Sequence, residues 1–278
     1  MRYLINILTG LLLLLVHRAF SWDTPRPAVP GQFPFQVSFE WHNLPISPIR
    51  HLCGGAILTE FWIISSGYCL TRVQVGILYI KLGRHDIAAD DAAVQTHQII
   101  KTVVNPKYPG AQEFRSFVPH DLALVKVAPV ITFNSRIQPL KLPKKNTLFK
   151  SQRLEYNMVM SGWGSTAYLI IENHPTVLMT VQLPIISNKV CVTSLNQFYH
   201  NMHLDETQMC TRPINGAISA CIGDYGGPLI QYNADNVPIL IGIQSWGTAN
   251  CNQNHVPPVY TRVSSHIKWI KETLKANE

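Results

Sequence analysis

The sequence predicts an all-β fold of antiparallel strands with one helix at the C-terminal end, and three observations predict it. Of the 278 residues, 46% are hydrophobic and 14% are charged, which is enough apolar material for one large core or two moderate ones. Short runs rich in Val, Ile and aromatic residues recur with turns between them, a pattern typical of antiparallel barrels. The last residues instead repeat apolar side chains at helical spacing.

Residues 1–21 have the composition of a secretory signal peptide. Arg2 supplies a positive end, residues 4–16 form a short apolar run, and Ala19-Phe20-Ser21 offers small residues for cleavage. A membrane anchor is the alternative, but the run is well short of the roughly 20 residues that span a bilayer. We therefore expect a secreted, extracellular protein with one domain over residues 22–278 and no membrane span.

Two sets of strand-like runs follow the predicted signal peptide. Each run is short and ends at residues that favour turns, as expected for strands. The first set comprises residues 35–41, 54–58, 61–65, 76–82, 97–104 and 122–127, and the second comprises 156–161, 177–184, 228–231, 238–244 and 257–263.

The C-terminal segment, residues 264–276, is predicted to be a helix. Ser264 and Ser265 can cap its start, because a serine hydroxyl accepts from a free amide at a helix N-terminus. Ile267, Ile270 and Leu274 recur at spacings of three and four residues. This spacing gives the helix one apolar face to pack on the barrel.

The chain has six cysteines, an even number that indicates disulfides in a secreted protein. Six cysteines allow 15 pairings, and spacing alone does not choose among them.

The segment Cys221-Ile222-Gly223-Asp224-Tyr225-Gly226-Gly227-Pro228-Leu229 resembles the nucleophile loop of the trypsin-like (chymotrypsin-fold) serine proteases, whose pattern is Gly-Asp-Ser-Gly-Gly-Pro. The resemblance covers the chain from Ala28 to its end. Other segments match the family in the same order, namely Leu52-Cys53-Gly54-Gly55-Ala56-Ile57-Leu58, Asp121-Leu122-Ala123-Leu124-Val125-Lys126, Gly162-Trp163-Gly164 and Ser245-Trp246-Gly247.

The resemblance implies a chymotrypsin-like fold of two six-stranded antiparallel β-barrels with a cleft between them. The N-terminal barrel would cover about residues 28–135 and the C-terminal barrel about 150–263. The family's bridges imply the disulfides Cys53–Cys69, Cys191–Cys210 and Cys221–Cys251.

The resemblance also assigns the catalytic positions, and two of them depart from the family's pattern. The aspartate is present as Asp121, but Tyr68 replaces the histidine and Tyr225 replaces the serine. A phenol with a pKa near 10 is a poor base and a poor nucleophile at neutral pH. The sequence therefore predicts a pseudoenzyme, with Tyr68 and Tyr225 approaching one another across the cleft and the Tyr68 hydroxyl reaching Asp121.

The loop around Tyr225 otherwise keeps the family's backbone residues, and Gly223, Asp224 and Tyr225 form the oxyanion loop. In the family a new amino terminus pairs with this aspartate. Here Trp22 stands at the corresponding place without the family's small residues, so a Trp22–Asp224 contact is a minor alternative.

Other histidines are weak candidates for a base. His120 precedes Asp121 and should point away from the cleft, since neighbours on an extended chain face opposite sides. His51 lies close to Cys53 in the sequence, but no pattern places its ring in the cleft. We expect no metal and no cofactor, because Arg84 and Val94 stand where the family's calcium ligands would be.

The residues of the specificity pocket also depart from the pattern. Ser219 lies at the predicted base and carries no charge to attract a cation, while Ser245, Trp246 and Gly247 match the family's wall. Pro258 replaces a glycine of that wall, which predicts a narrowed or closed pocket. A rearranged but open loop is the alternative.

Three functions fit these residues. The first is a secreted pseudoprotease that binds a protein partner, as a protease cofactor, a decoy or a regulator. The second is a residually active serine-type endopeptidase with rearranged residues. The third is a module that binds sulfated glycans through a basic segment. The alternative is that this segment is only a solvated connection between the two barrels. We expect no nucleic acid as a partner. The basic segment contains Lys141, Lys144, Lys145, Lys150 and Arg153.

Overall fold

The computed structural model describes residues 24–43, 47–73, 75–89, 91–110, 118–144, 157–165, 175–213, 220, 223–247 and 256–277. In this part of the chain, no helix is long and apolar enough to cross a membrane.

The first barrel is closed by six antiparallel strands in the order β2-β3-β4-β7-β6-β5. The side chains of Val37, Phe39, Ile63, Ile80 and Val125 fill its interior. The strands are β2 (Gln36–Asn43), β3 (Ser47–Ile57), β4 (Trp62–Ser65), β5 (Ile77–Leu82), β6 (Gln95–Val104) and β7 (Ala123–Ala128).

The second barrel is closed by six strands in the order β8-β9-β10-β13-β12-β11, with β11 pairing back to β8. A short strand, β1 (Arg26–Pro27), pairs with β9 and so ties the start of the domain to this barrel. The predicted fold of two six-stranded barrels is therefore confirmed. The strands are β8 (Asn157–Gly162), β9 (Met179–Ile186), β10 (Gln208–Thr211), β11 (Pro228–Tyr232), β12 (Pro238–Trp246) and β13 (Val259–Arg262).

Within the described residues, three short α-helices accompany the barrels: α1 (Gly67–Arg72), α2 (Asn188–Leu195) and α3 (Ile267–Lys275). The first two begin at serine caps, since Ser66 accepts from the Cys69 amide and Ser187 accepts from the Val190 amide.

The C-terminal helix is confirmed, but its predicted serine cap is wrong. A 3-10 turn, Val263–His266, precedes α3, and neither turn nor helix has a side-chain cap. The predicted apolar face packs inward, with Ile267 and Ile270 buried and Leu274 partly buried against the same cluster.

One apolar cluster joins the two barrels and the C-terminal helix. It includes Leu122 and Leu124 from the first barrel, Ile243 from the second, and Ile270 from α3. Because this cluster lies between the barrels, it fixes the strand ends of both barrels next to one another, and those ends carry the candidate site.

Two of the three disulfides implied by the resemblance are present. Cys53–Cys69 joins β3 to α1, and Cys191–Cys210 joins α2 to β10. Cys221 and Cys251 lie outside the described residues, so their pairing stays a prediction.

Candidate functional site

The site is built on the loop of residues 223–227, whose backbone is held by both barrels. The Gly226 amide donates to the Gln244 carbonyl at 2.7 Å, and the Gly54 amide donates to the Tyr225 carbonyl at 2.8 Å. Gly226 has φ of 77°, and a Cβ atom there would lie 2.2 Å from the Ser65 hydroxyl. Only glycine fits this position, because both the backbone angle and the space require it.

Asp224 points away from the cleft surface into the protein, where it is 6% exposed. Its carboxylate accepts a hydrogen bond from the Gly164 amide at 2.9 Å. A Cβ atom on Gly162 or Gly164 would come within 2.1 Å of a carboxylate oxygen of Asp224, so the Gly-Trp-Gly segment leaves room for this side chain. Trp22 lies outside the described residues, and its contact with Asp224 stays a prediction.

Tyr68 and Tyr225 form an edge-to-face pair, which we call the tyrosine pair. Their ring centroids are 5.4 Å apart at an interplanar angle of 63°, as expected from the sequence. Tyr68 lies at the start of α1, and the guanidinium of Arg72 lies 5.5 Å from the centre of its ring. Burial raises the pKa of the Tyr225 hydroxyl, and the nearby Tyr68 raises it further.

Asp121 is buried immediately before β7, with 2% of its surface exposed. Its carboxylate accepts from the Ser245 hydroxyl at 2.7 Å and from the Tyr68 amide at 2.8 Å. Burial raises the pKa of Asp121 to about 6, although hydrogen bonds from Ser245, Tyr68 and Gly67 oppose the shift.

Among the described residues, the Tyr68 hydroxyl donates no direct hydrogen bond to Asp121, and a contact through one bridging water stays a prediction. The Tyr68 residue contacts Asp121 through its amide, because Asp121 lies beside the first turn of α1, where amides have no partner within the helix. The side-chain hydroxyl that donates to Asp121 is that of Ser245, where the sequence predicted the hydroxyl of Tyr68.

His51 contacts the backbone of the loop at Gly223 and is not part of the tyrosine pair. Its Nε2 lies 2.8 Å from the Gly223 carbonyl oxygen and its Nδ1 lies 2.8 Å from the Ser38 hydroxyl. The ring also packs against Trp163, with centroids 5.2 Å apart. His51 therefore links the first barrel to the backbone of the loop.

A buried ion pair extends this link. The Ser38 hydroxyl lies 3.3 Å from Glu40, and Glu40 pairs with Arg84 through two contacts of 3.0 and 3.2 Å. Arg84 also donates to the Ala89 carbonyl at 2.8 Å. Arg84 thus places a fixed positive charge where the resemblance would have placed a calcium ligand.

His120 points away from the tyrosine pair, as expected. Its ring contacts His266, with Nδ1 of His120 3.0 Å from Nε2 of His266. Among the described residues, no group of three or more His, Cys, Asp or Glu side chains could hold a metal ion.

The pocket residues are only partly described. Ser245 and Trp246 end β12 and Gly247 follows; Trp246 packs edge-to-face on Tyr199 with centroids 5.4 Å apart. Pro258 is buried just before β13. Ser219 lies outside the described residues, so a narrowed pocket stays a prediction.

The basic segment is also only partly described. Lys141 pairs with Ile239 in an isolated bridge, and its carbonyl accepts from the Leu240 amide, so the start of the segment lines the second barrel. Lys145, Lys150 and Arg153 lie outside the described residues.

Sequence reasoning missed Tyr108, which packs where α1 begins. A Cβ atom on Gly67 would lie 2.8 Å from the Tyr108 ring, and burial together with the charge of Asp121 raises the pKa of Tyr108. The segment Ser65-Ser66-Gly67-Tyr68-Cys69 could have indicated that another side chain packs here, because Gly67 stands where the family pattern has alanine.

Comparisons with known proteins agree with this architecture. The family model described as Trypsin matches residues 24–270. Serine protease 1 of Canis lupus familiaris is 32% identical over 246 residues, which cover 88% of this chain and 86% of that protein. Serine proteinase stubble of Drosophila melanogaster is 30% identical over 252 residues, which cover 90% of this chain but 30% of that longer protein. With two closed barrels, two of the family's disulfides and a family match along almost its whole length, the chain belongs to the trypsin family.

Proposed function

We propose that this member of the trypsin family is a secreted pseudoprotease that binds a protein partner and does not hydrolyse peptide bonds. The observation that carries the proposal is the tyrosine pair, which occupies the two positions where the family's pattern has histidine and serine. Hydrolysis by this family needs a nucleophile, a base within hydrogen-bond reach and a carboxylate that orients the base.

The chemistry of the two phenols supports the proposal. The pKa of Tyr225 is raised above its ordinary value, so its hydroxyl stays protonated over the neutral pH range. Asp121 contacts the amide of Tyr68 and the hydroxyl of Ser245, and these groups do not relay a proton to Tyr225. The loop backbone keeps its shape for a structural reason, because Gly226 and Gly164 are required by close packing.

A fluorophosphonate probe and a peptide library test the catalytic half of the proposal. We expect neither labelling nor turnover by the purified chain, with an active trypsin as the positive control. Specific turnover that disappears in Tyr225→Phe would overturn the proposal and favour the residually active endopeptidase.

Affinity capture from the native secretion tests the binding half. The exposed Arg72 lies beside the tyrosine pair, so a partner that covers the cleft should be retained by the wild type and lost by Arg72→Glu. Lys189→Glu, an exposed lysine on α2, is the matched control and should retain the partner. Equal retention by Arg72→Glu and the wild type would place the binding surface elsewhere and contradict the proposed role of the cleft.

A further inference from the structure

A buried carboxamide, that of Gln244, lies beside the wall of the specificity pocket, which the resemblance places along Ser245, Trp246 and Gly247. Gln244 belongs to the last three residues of β12 and is 1% exposed. The residues before it in the strand, 238–243, are all apolar or glycine. A polar side chain is therefore unexpected at this buried position, because burying an amide is unfavourable unless it is fully hydrogen-bonded.

A β-bulge determines where this side chain points. The strand β12 pairs with consecutive residues of β13 at Gln244 and at Trp246, which leaves Ser245 as an extra residue. Bulges of this kind change the direction of neighbouring side chains. Nε2 of Gln244 donates to the Trp246 carbonyl at 3.2 Å, so the carboxamide is bound to the wall of the pocket itself.

The wall and the segment opposite it lie too close together to admit a side chain between them. A Cβ atom on Gly247 would lie 3.4 Å from the Ala220 carbonyl oxygen and 3.5 Å from Nε2 of Gln244. Because a carbon–carbon bond measures about 1.5 Å, Cα of Gly247 lies within about 5 Å of that oxygen. A carbon chain keeps about 3.5 Å from each wall it packs against, so it needs a gap of about 7 Å.

Two side chains contact the wall from different directions. The Tyr225 hydroxyl lies 3.5 Å from the Gly247 carbonyl oxygen on the side of the cleft. Gln244 contacts the wall from the interior, since its cross-strand neighbour Tyr260 belongs to the core of the second barrel. Trp246 and Gly247 are themselves partly exposed, so the space beside them adjoins the cleft, whereas the carboxamide behind them is buried.

We propose that Gln244 closes the specificity pocket from within, and that a segment bound in the cleft can place only glycine at the position facing it. Any side chain there would overlap the carboxamide, and glycine has none. The sequence assigned the closure to Pro258, whereas the contacts assign it to Gln244. The proposal concerns the shape of the pocket and holds whether or not the chain hydrolyses peptides.

The carboxamide fills this space although one of its atoms lacks a partner. Oε1 of Gln244 is buried and has no hydrogen-bond partner among the described residues. A buried acceptor without a partner is unfavourable, so an apolar side chain of similar length should fit equally well. Gln244→Met is therefore the matched control that keeps the pocket filled, and Gln244→Ala removes every side-chain atom beyond Cβ.

NMR titration of the full chain with acetamide and with 3-phenylpropanamide tests the proposal. Acetamide has the heavy atoms that Gln244→Ala removes, and 3-phenylpropanamide carries this group on a tail that fits only if the pocket opens to the cleft. We expect both amides to shift the Gly247 amide signal of Gln244→Ala, with at least about tenfold tighter binding than to the wild type. Gln244→Met and Pro258→Gly should bind as weakly as the wild type.

Several outcomes would contradict the proposal. These are tight binding of either amide to the wild type, no binding to Gln244→Ala, or opening of the pocket by Pro258→Gly. Binding of acetamide but not of 3-phenylpropanamide would show that Gln244 fills a sealed cavity instead of the pocket, and this would overturn the proposal as well.

A measurement on the wild type keeps the proposal testable if Gln244→Ala folds poorly. The Nε2 protons of Gln244 should exchange slowly with solvent, because the carboxamide is enclosed between the wall and the core. Exchange as fast as that of an exposed glutamine would show that the carboxamide lies in solvent and leaves the pocket open.

Discussion

The loop of residues 223–227 and the tyrosine pair lie side by side but are constrained in different ways. The loop is fixed through its backbone, because its amides and carbonyls bond to Gly54 and Gln244 of the two barrels and its Gly226 has no space for a side chain. The tyrosine pair is held by apolar packing, since its ring centroids are 5.4 Å apart and both rings pack against the apolar cluster of the first barrel, while the Tyr225 hydroxyl lies 3.5 Å from the Gly247 carbonyl oxygen.

The difference teaches that the backbone of this site and its chemistry are separable. The glycines of the loop are required for packing whether or not the protein is an enzyme. We expect the Tyr225 hydroxyl to contribute much less to stability than these glycines do, because its hydrogen bond is long. A loop that keeps the glycines of the trypsin family is therefore weak evidence for activity. The residue at the tip of the loop, here Tyr225, says more about whether the protein is an enzyme.

Gly226→Ala should have the largest effect and tests the loop side of this comparison. A Cβ atom would lie 2.2 Å from the Ser65 hydroxyl at a backbone φ of 77°, so we expect a loss of more than about 4 kcal/mol in the free energy of unfolding. Gly110→Ala is the matched control, since Gly110 has φ of 94° and nothing within 4 Å of its Cβ position.

Urea denaturation of both variants measures this difference. We expect about 1 kcal/mol for Gly110→Ala, which reports backbone strain alone. Equal losses for the two variants would show that crowding against Ser65 does not constrain the loop.

Asp121→Asn should have an intermediate effect that depends on pH. The folded pKa of about 6 lies above the ordinary aspartate value of 3.8, so the folded state binds this proton more tightly than the unfolded state does. Below pH 3.8 the carboxyl group is protonated in both states and its ionisation does not lower the free energy of unfolding. As the pH rises from 3.8 to 6, the group ionises in the unfolded state first, so the free energy of unfolding falls, and it stays lower above pH 6. We expect Asp121→Asn to be more stable than the wild type by about 2 kcal/mol at pH 7.5 and equally stable at pH 4.

The difference between the two proteins in urea, measured at pH 4, 5.5 and 7.5, checks this expectation. Other titrating groups cancel in that difference because both proteins contain them. If the difference in free energy of unfolding between the two proteins does not change with pH, then ionisation of Asp121 does not destabilise the folded state. Such a result would contradict the raised pKa of this carboxyl group.

Tyr225→Phe should have the smallest effect and tests the other side of the comparison. The hydroxyl at 3.5 Å from the Gly247 carbonyl contributes little, so we expect a loss below about 0.5 kcal/mol. Tyr260→Phe is the matched control, because Tyr260 is fully buried with its hydroxyl 3.3 Å from that of Thr211, and it should lose about 1 kcal/mol. A larger loss for Tyr225→Phe than for Tyr260→Phe would show that the tyrosine pair supports the fold.

Most of the fold could be predicted from the sequence because the strands carry strong local patterns. Every predicted strand overlaps an observed one, including β2 and β12, whose runs of apolar residues end at turns. The strand β10 was not predicted, since its sequence Gln-Met-Cys-Thr has no apolar alternation and its pairing with β9 and β13 defines it.

Side-chain contacts across the barrels could not be predicted in the same way. The sequence identified Tyr68, Tyr225 and Asp121, and the approach of the two rings followed from the resemblance. The bond from Ser245 to Asp121 joins residues 124 positions apart, and the bond from His51 to Gly223 joins residues 172 positions apart. No local pattern contains such pairs, because they depend on how the two barrels pack.

The bond from His51 to Gly223 has a consequence for how the molecule unfolds. His51 belongs to the first barrel and Gly223 to the loop of the second, and the apolar cluster around Leu122 and Ile243 also spans both. Neither barrel can open without exposing core that the other covers, so the two halves should melt as one cooperative unit. A calorimetric scan should then show a single transition whose van't Hoff and calorimetric enthalpies agree.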